Sequence, residues 1–256
     1  MRSNTAKQLL IYSVLVILVI LGIYFLMKSP PSIDDIWVIN LDKDKKRFEH
    51  FKEYSPFLPK PINRWKGTYG KEEDRMEANE DGVHYLLSRS NVTEENKNSN
   101  KVLSKPGEIG CWLSHKRLLR NLREQQVSSN TGHLILEDDV IIPEDFTERW
   151  ETVKHSIPRD WDIVYLNIGQ IRGDRINEHV IRWKNTGEWG NAGTAAYIVR
   201  HGALGHILEK LQFMTSPIDV QYFYMLGDLN IYIVDPELIS TNIELESTID
   251  EQQKRK

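Results

Sequence analysis

Five short apolar runs set the terms for this chain. Residues 36–39 (IWVI), 133–136 (HLIL), 161–166 (WDIVYL), 195–199 (AAYIV) and 231–234 (IYIV) are rich in β-branched and aromatic residues. They are too short for helices, and turn-forming or charged residues bound them, which is the mark of buried strands. The stretches between them carry helical spacing instead. Trp112, His115, Leu118, Leu119 and Leu122 share one helical face, and so do Phe146, Trp150, Val153 and Ile157. Leu204, Ile207, Leu208 and Leu211 form a third such face, and Phe48 and Phe51 mark the inner side of a lysine-rich helix. Buried strands separated by helices predict one α/β domain with a mostly parallel sheet. No internal repeat is evident, and 256 residues suit one such domain plus an appendage.

The appendage is legible at the N-terminus. Residues 9–27 contain no charge over 19 positions. At 1.5 Å per residue such a helix covers most of a hydrocarbon core of about 30 Å. A cleaved leader has an apolar stretch of about 7–15 residues and a small-residue cleavage site. Here the run is longer, and Lys28, Ser29, Pro30 and Pro31 follow it. The expected organisation is a short tail at 1–8, a transmembrane anchor at 9–27, a proline-stiffened stem at 28–34 and a catalytic domain at 35–256. Arg2 and Lys7 precede the run, while Asp34 and Asp35 lie beyond Lys28. That bias predicts a single-pass membrane protein with a cytoplasmic N-terminus and a luminal domain, in Golgi, ER or an equivalent host membrane. The acceptor triplet Asn91-Val92-Thr93 is compatible with a luminal position. Residues 71–105 are dense in Glu, Asn, Lys and Ser, and their second half reads as a mobile surface loop. Val83, Tyr85, Leu86 and Leu87 offer one anchoring turn within it.

Several function classes fall away. One cysteine excludes an intrachain disulfide framework and a zinc site built on several thiolates. A net charge of −4 gives no footing for nucleic acid as a partner. The sequence has no HExxH, P-loop or GxSxG element.

Two segments carry candidate chemistry. In LILEDDV (134–140), Glu137, Asp138 and Asp139 end an apolar strand. Crowded carboxylates there need a partner, and a divalent cation with diphosphate oxygens supplies one. Strand alternation would turn Glu137 and Asp139 one way and Asp138 the other. A solvated turn capping the helix near Pro143 is the bland alternative. The second segment is GEIGCWLSH (107–115). Gly107 and Gly110 lie in the first turns of a helix, where glycine weakens structure, so a ligand approaching the free backbone N–H groups is one explanation. His115 falls on the apolar face, where a satisfied core histidine and a functional one are both open. Cys111 has no second thiol or apparent zinc partner in the sequence and reads as a small buried hydrophobe.

Taken in order, VINLDKDKKRFEHF (38–51), GEIGCWLSHKRLL (107–119), LILEDDV (134–140), DWDIVYLN (160–167), GTAAYIVRHGA (193–203) and PIDVQ (217–221) resemble glycosyltransferase family 25. This family includes bacterial lipooligosaccharide galactosyltransferases and collagen galactosyltransferases. The resemblance implies a GT-A-like nucleotide-sugar-binding domain, a UDP-sugar donor and Mn2+ or Mg2+ as cofactor. It makes Asp139 the main metal ligand, with Glu137 or Asp138 on the ribose or a metal-bound water. Asn40, Leu41 and Arg47 match the strand-loop-helix that holds the nucleotide. Glu108, Ser114 and His115 match the glycine-bearing helix, Gly193 and Thr194 the loop before the fourth strand, and Asp219 the aspartate of the PxD-type segment. Tyr69-Gly70 stands where the family commonly has Asp-Gly, and only Arg47 keeps the arginine-rich character of the first helix. Glu246-Ser247-Thr248-Ile249-Asp250 resembles the family's Glu-Ser-Asp-Ile ending loosely.

The function implied is transfer of a hexose, galactose or glucose, to a hydroxyl on a glycan or protein, with inversion. Asp219 would be the base and His115 its reserve, although an aspartate there also suits a helix N-cap. The alternative is a catalytically inactive membrane-anchored binding protein on the same fold, to which the missing Asp-Gly pair points. A metal-dependent phosphodiesterase ranks below both.

Overall fold

The computed structural model describes residues 11–17, 19, 29–70, 75–83, 106–167, 173–184 and 193–242. In chain order these form β1 (Asp35–Asn40), α1 (Lys45–Lys52), β2 (Ile62–Lys66), α2 (Arg75–Glu80), α3 (Pro106–Arg123), β3 (Gly132–Glu137), β4 (Val140–Ile141) and α4 (Phe146–Val153). They continue with β5 (Ile163–Tyr165), β6 (Gly173–Arg175), β7 (Val180–Trp183), β8 (Ala196–Arg200), α5 (Leu204–Lys210), α6 (Ile218–Tyr224), β9 (Ile231–Val234) and β10 (Ser240–Thr241). Eight strands make one sheet in the order β2-β1-β3-β8-β5-β9-β7-β6. β8 and β7 are antiparallel to their neighbours, and the other six strands run one way.

All five apolar runs become strands, and four of them, in β3, β8, β5 and β9, occupy the middle of the sheet. Strand alternation splits their side chains between two cores. Ile135, Tyr197, Ile163 and Ile231 pack with α3, α5 and α6 on one face. Leu134, Ile198, Val164 and Tyr232 pack with Phe51 of α1 and Trp150 of α4 on the other. The strands absent from the sequence reading are edge or short ones. β2 (INRWK) pairs with β1 alone, β6 is exposed throughout, and β4 pairs with β10 as a two-residue ribbon. An edge strand has no apolar run because one side faces water.

From β1 the chain crosses to β2 on one side, then returns through α3 to place β3 on the other side of β1. The carboxyl ends of β1 and β3 therefore flank the point where the winding reverses, and Ile39 is in register with Glu137. Crevices of this kind are where open α/β sheets bind ligands.

The described part of the stem is not a free spacer. Pro31 is buried and Ile33 enters the second core. The Asp34 N–H donates to Gly132 O at 2.9 Å, and Asp34 Oδ2 accepts from the Gly132 N–H at 2.8 Å. A Cβ on Gly132 would lie 1.9 Å from Ser32 O, so this approach requires glycine. Of the apolar run 9–27, residues 11–17 and 19 are described. They are helical, and Ile11, Leu15 and Ile17 are each more than half exposed. No helix among the described residues is long and apolar enough to cross a membrane. The rest of that run, the Asn91 triplet, residues 84–105 and the Glu246–Asp250 segment lie outside the described residues.

Within the polar stretch 71–105, residues 75–83 form α2 and a turn locked to α3. Asp81 accepts from Arg117 Nε and from an Arg120 NH2 group, each at 2.6 Å. Lys116 donates to Asp81 O and Gln212 O and lies over the Trp112 ring. Gly82 has φ +95°, and a Cβ there would meet Gln212 O at 2.0 Å. Burial works to raise the Asp81 carboxyl, but the two arginines outweigh it and hold it below the usual carboxylate range. Its native pKa is thus lower than its unfolded one, so its stabilisation is present above about pH 4 and lost as pH falls further. Asp81→Asn should cost about 2–3 kcal/mol at pH 7. Urea unfolding of both proteins should show this gap constant near neutrality and shrinking below about pH 4.

Candidate functional site

The carboxylates of the acidic tip are divided between two walls of the crevice. Glu137 closes β3 with the parity of Ile135, so it faces α3. There Glu137 Oε1 lies 3.3 Å from His115 Nε2 and accepts the Thr194 hydroxyl at 2.8 Å. Asp138 has the opposite parity and faces α1. Its Oδ2 accepts from Asn40 Nδ2 at 2.6 Å, and its Oδ1 pairs with Arg47 at 2.5 Å. Asp139 departs from the alternation expected of a strand. β3 stops at Glu137, residues 138 and 139 form a turn, and Asp139 Oδ2 joins Asp138 on Arg47 at 3.1 Å. The turn's backbone is pinned by Glu137 N–H donating to Ala195 O and Asn242 N–H donating to Asp139 O.

A pocket lies between these walls. Asn40, Leu41, Asp44 and Arg47 line it from β1 and α1, and Gly107, Cys111, Ser114 and His115 from α3. Thr68 and the acidic tip complete the lining. Its electrostatics are uneven. Burial pushes the Asp139 carboxyl up to about 7, helped by Glu137 and opposed by Arg47. Burial also raises Asp138 against Arg47 and Asn40. For Glu137, burial is outweighed by His115, Thr194 and Arg47, so it is held below the usual range.

The pocket fits a hard divalent cation. Asp139 Oδ1 is buried without a hydrogen-bond partner, and so is Asp44 Oδ2. Four carboxylates line the pocket with Arg47 and His115 as its basic side chains. Oxygen donors in excess of positive charge are what Mg2+ or Mn2+ selects. A second donor set adjoins this one. Cys111, His115 and Glu137 bring a sulfur, a nitrogen and an oxygen within 4.8 Å of one another. Cys111 is thus a half-buried pocket residue with spatial partners, which corrects the reading of it as an isolated hydrophobe.

The remaining expected residues divide. Asn40, Leu41 and Arg47, expected on the nucleotide side, line the pocket. Asn40 is fixed by Arg64, whose Nε donates to Asn40 Oδ1 at 2.9 Å. Ser114 lines the pocket but is occupied internally, donating to Gly110 O and accepting from the Thr68 N–H. Glu108 is half-buried in the first turn of α3 and is not part of the lining. Gly110 does not serve a ligand. A Cβ there would lie 2.5 Å from Thr68 O, so glycine admits the 67–70 loop to the helix. Gly107 does line the pocket. Gly193 adopts φ +121°, a conformation that favours glycine, and its N–H donates to Asp219 Oδ2 at 2.9 Å. Asp219 Oδ1 accepts from the Val220 N–H. Asp219 therefore fastens α6 to the loop before β8, and burial raises its carboxyl against those two N–H groups.

Tyr197, Tyr222 and Arg64 were not anticipated. Tyr197 OH meets His115 Nδ1 at 2.9 Å and Tyr222 OH at 3.5 Å, so it fixes the imidazole from behind. Nothing in the local sequence marks these tyrosines apart from core aromatics.

A cation captured by Asp139 must stabilise the fold by linkage, by about 2.7 kcal/mol at a hundredfold excess over its Kd. Adding Mn2+ or Mg2+ to metal-free protein should raise Tm, and Asp139→Asn should abolish most of that rise. The rise should be larger at pH 8 than at pH 6. At pH 6 the Asp139 carboxyl, pushed up to about 7, must first release a proton.

Comparison with known proteins gives the family. A family model described as glycosyltransferase family 25 (LPS biosynthesis protein) matches residues 33–222. Procollagen galactosyltransferase 1-A of Xenopus laevis is 26% identical over 152 residues, which are 58% of this chain and 23% of that protein. A procollagen lysyl hydroxylase and glycosyltransferase of Acanthamoeba polyphaga mimivirus is 30% identical over 121 residues, 43% of this chain and 13% of that protein. The matches thus span under a quarter of these relatives' own length. Among solved structures, a glycosyltransferase involved in glycosylation of the major capsid of PBCV-1 aligns with TM-score 0.46 and 11% identity, covering 88% of this chain and all of that one.

Proposed function

The chain belongs to glycosyltransferase family 25, and from that membership we propose that it transfers a hexose, galactose or glucose, from a UDP-sugar to a hydroxyl on a glycan or protein. One observation carries the reading. The acidic tip, Asn40-Arg47 and His115 converge on one pocket at the reversal point of the sheet, where Asp139 keeps a buried oxygen without a partner. Asp139 and Glu137 would hold Mn2+ or Mg2+. When bound, such an ion neutralises charge growing on the departing diphosphate.

The chain's own groups do the rest. Arg47, paired with Asp138 and Asp139, carries positive charge at the pocket and can turn toward a diphosphate once a cation takes over its carboxylates. Asn40, its amide bonded to Arg64, Asp44 O and Asp138, would hold the wall on the nucleoside side in place. Asp219 is the proposed base. Its raised carboxyl is suited to accept the acceptor hydroxyl's proton, and the Gly193 and Val220 N–H groups hold it in place. His115, clamped between Tyr197 and Glu137, is the reserve. Direct attack by the hydroxyl on the anomeric carbon in one displacement gives inversion.

The membrane reading belongs with this proposal. Apolar side chains left exposed on a helix at 11–17 favour a lipid environment. The domain would then lie on the luminal side, with no nucleic acid partner.

A panel of UDP-sugars with Mn2+ should yield UDP release for one hexose donor in the presence of acceptor. Asp139→Asn should lower kcat at least about a hundredfold, and Asp219→Asn about 10²–10⁴-fold. Undiminished turnover in Asp139→Asn would remove the metal assignment. Removal of residues 1–28 should move the protein from the membrane fraction to the soluble one.

A further inference from the structure

We propose that Cys111 Sγ, His115 Nε2 and a Glu137 carboxylate oxygen form a second cation site, one that selects Zn2+ over Mg2+ and Mn2+. Cys111 and His115 are four residues apart on α3, so their side chains project from one face of the helix. Glu137 reaches the same point from the end of β3, and the three donor atoms lie within 4.8 Å of one another.

The spacing suits the metal. Nitrogen and oxygen ligands about 2.0–2.1 Å from a tetrahedral zinc stand about 3.3 Å apart. His115 Nε2 and Glu137 Oε1 are 3.3 Å apart. A zinc-bound thiolate stands about 3.5 Å from such a nitrogen, so the sulfur has to close by little more than about 1 Å. The supporting contacts are of the kind ligands need. Tyr197 OH at 2.9 Å occupies the Nδ1 side of the ring, which leaves Nε2 for the metal. The Thr194 hydroxyl holds the Glu137 carboxylate at 2.8 Å. All three donors line the pocket, so the fourth position opens to water or a bound ligand.

The donor chemistry separates this site from the carboxylate site beside it. Asp139, Asp138 and Asp44 offer hard oxygens alone. Cys111 adds a soft sulfur, which Mg2+ and Mn2+ bind poorly and Zn2+ binds well. Binding expels the thiol proton to solvent, so affinity rises with pH. Glu137 is common to both sites. On the transferase reading above, zinc here would take Glu137 and His115 out of service and act as an inhibitor. The binding itself does not depend on that reading.

The test uses the full chain, stripped of metal, with Co2+ as a spectroscopic stand-in for Zn2+. One equivalent of Co2+ should produce the near-ultraviolet absorption of a cobalt–thiolate bond. Cys111 is the only cysteine in the chain, so that band has one possible origin. Zn2+ should displace it and Mg2+ should not. Cys111→Ser should lose the band, and both Cys111→Ser and His115→Gln should bind Zn2+ at least about tenfold more weakly. Absence of a thiolate band in the wild type at stoichiometric Co2+ overturns the proposal without recourse to any variant. Zn2+ affinity unchanged in both folded variants, verified by circular dichroism, overturns it equally. Neither result bears on Mn2+-supported UDP release, which is measured separately.

Discussion

Three adjacent carboxylates at the sheltered end of a strand cannot all be charged without compensation, and the architecture around them follows from how it is supplied. Glu137 is answered from α3 by His115 and from the β8 loop by Thr194. Asp138 and Asp139 are answered from α1 by Arg47 and from β1 by Asn40. Two helices on opposite faces of the sheet are thereby tied to one strand end. The pocket is the gap between those two ties. Compensation is incomplete, since Asp139 and Asp44 each keep a buried oxygen without a partner. A site that leaves negative charge unanswered is poised to take a cation, whereas a fully paired cluster would serve only to hold the fold together.

The central sheet was readable because its strands are buried on both faces, and burial writes unbroken apolar runs into the sequence. Strands β2 and β6 are the two edges of the sheet, where water replaces one layer of packing and the run disappears, while β7 beside β6 is buried but only four residues long and interrupted by the exposed Arg182. Asn40, Arg47 and the acidic tip were found through their order along the chain. The partition among them was not, because it depends on where β3 stops. A strand two residues longer would have sent Asp139 toward α3. Cys111 illustrates the other limit. Its four-residue spacing from His115 is visible in the sequence, but Glu137 enters from a different element, and a search for a second thiol could not find it.

The glycines of α3 show how one residue type serves different ends within a single turn. Gly107 opens onto the pocket. Gly110 lets the chain at 68–70 press against the helix, and the Thr68 N–H then bonds Ser114. Thr68 is held by that approach, so it reaches the pocket because Gly110 lacks a side chain. The Asp81 clamp fastens later turns of the same helix through Arg117 and Arg120, and Arg117 also donates to the Thr68 hydroxyl at 3.0 Å. α3 is thus gripped at successive turns around Cys111 and His115, and such rigidity suits a helix whose donors must stay aligned.

The Asp34–Gly132 pairing joins the incoming chain to the sheet where β1 and β3 begin. The pocket lies where those strands finish, about 20 Å away along a six-residue strand. Anything fastened to the front of the chain, whether bilayer, bead or fused protein, therefore hangs from the floor of the domain and leaves its mouth pointing outward. A large molecule can then approach from open space, with no need to slide between the domain and its support.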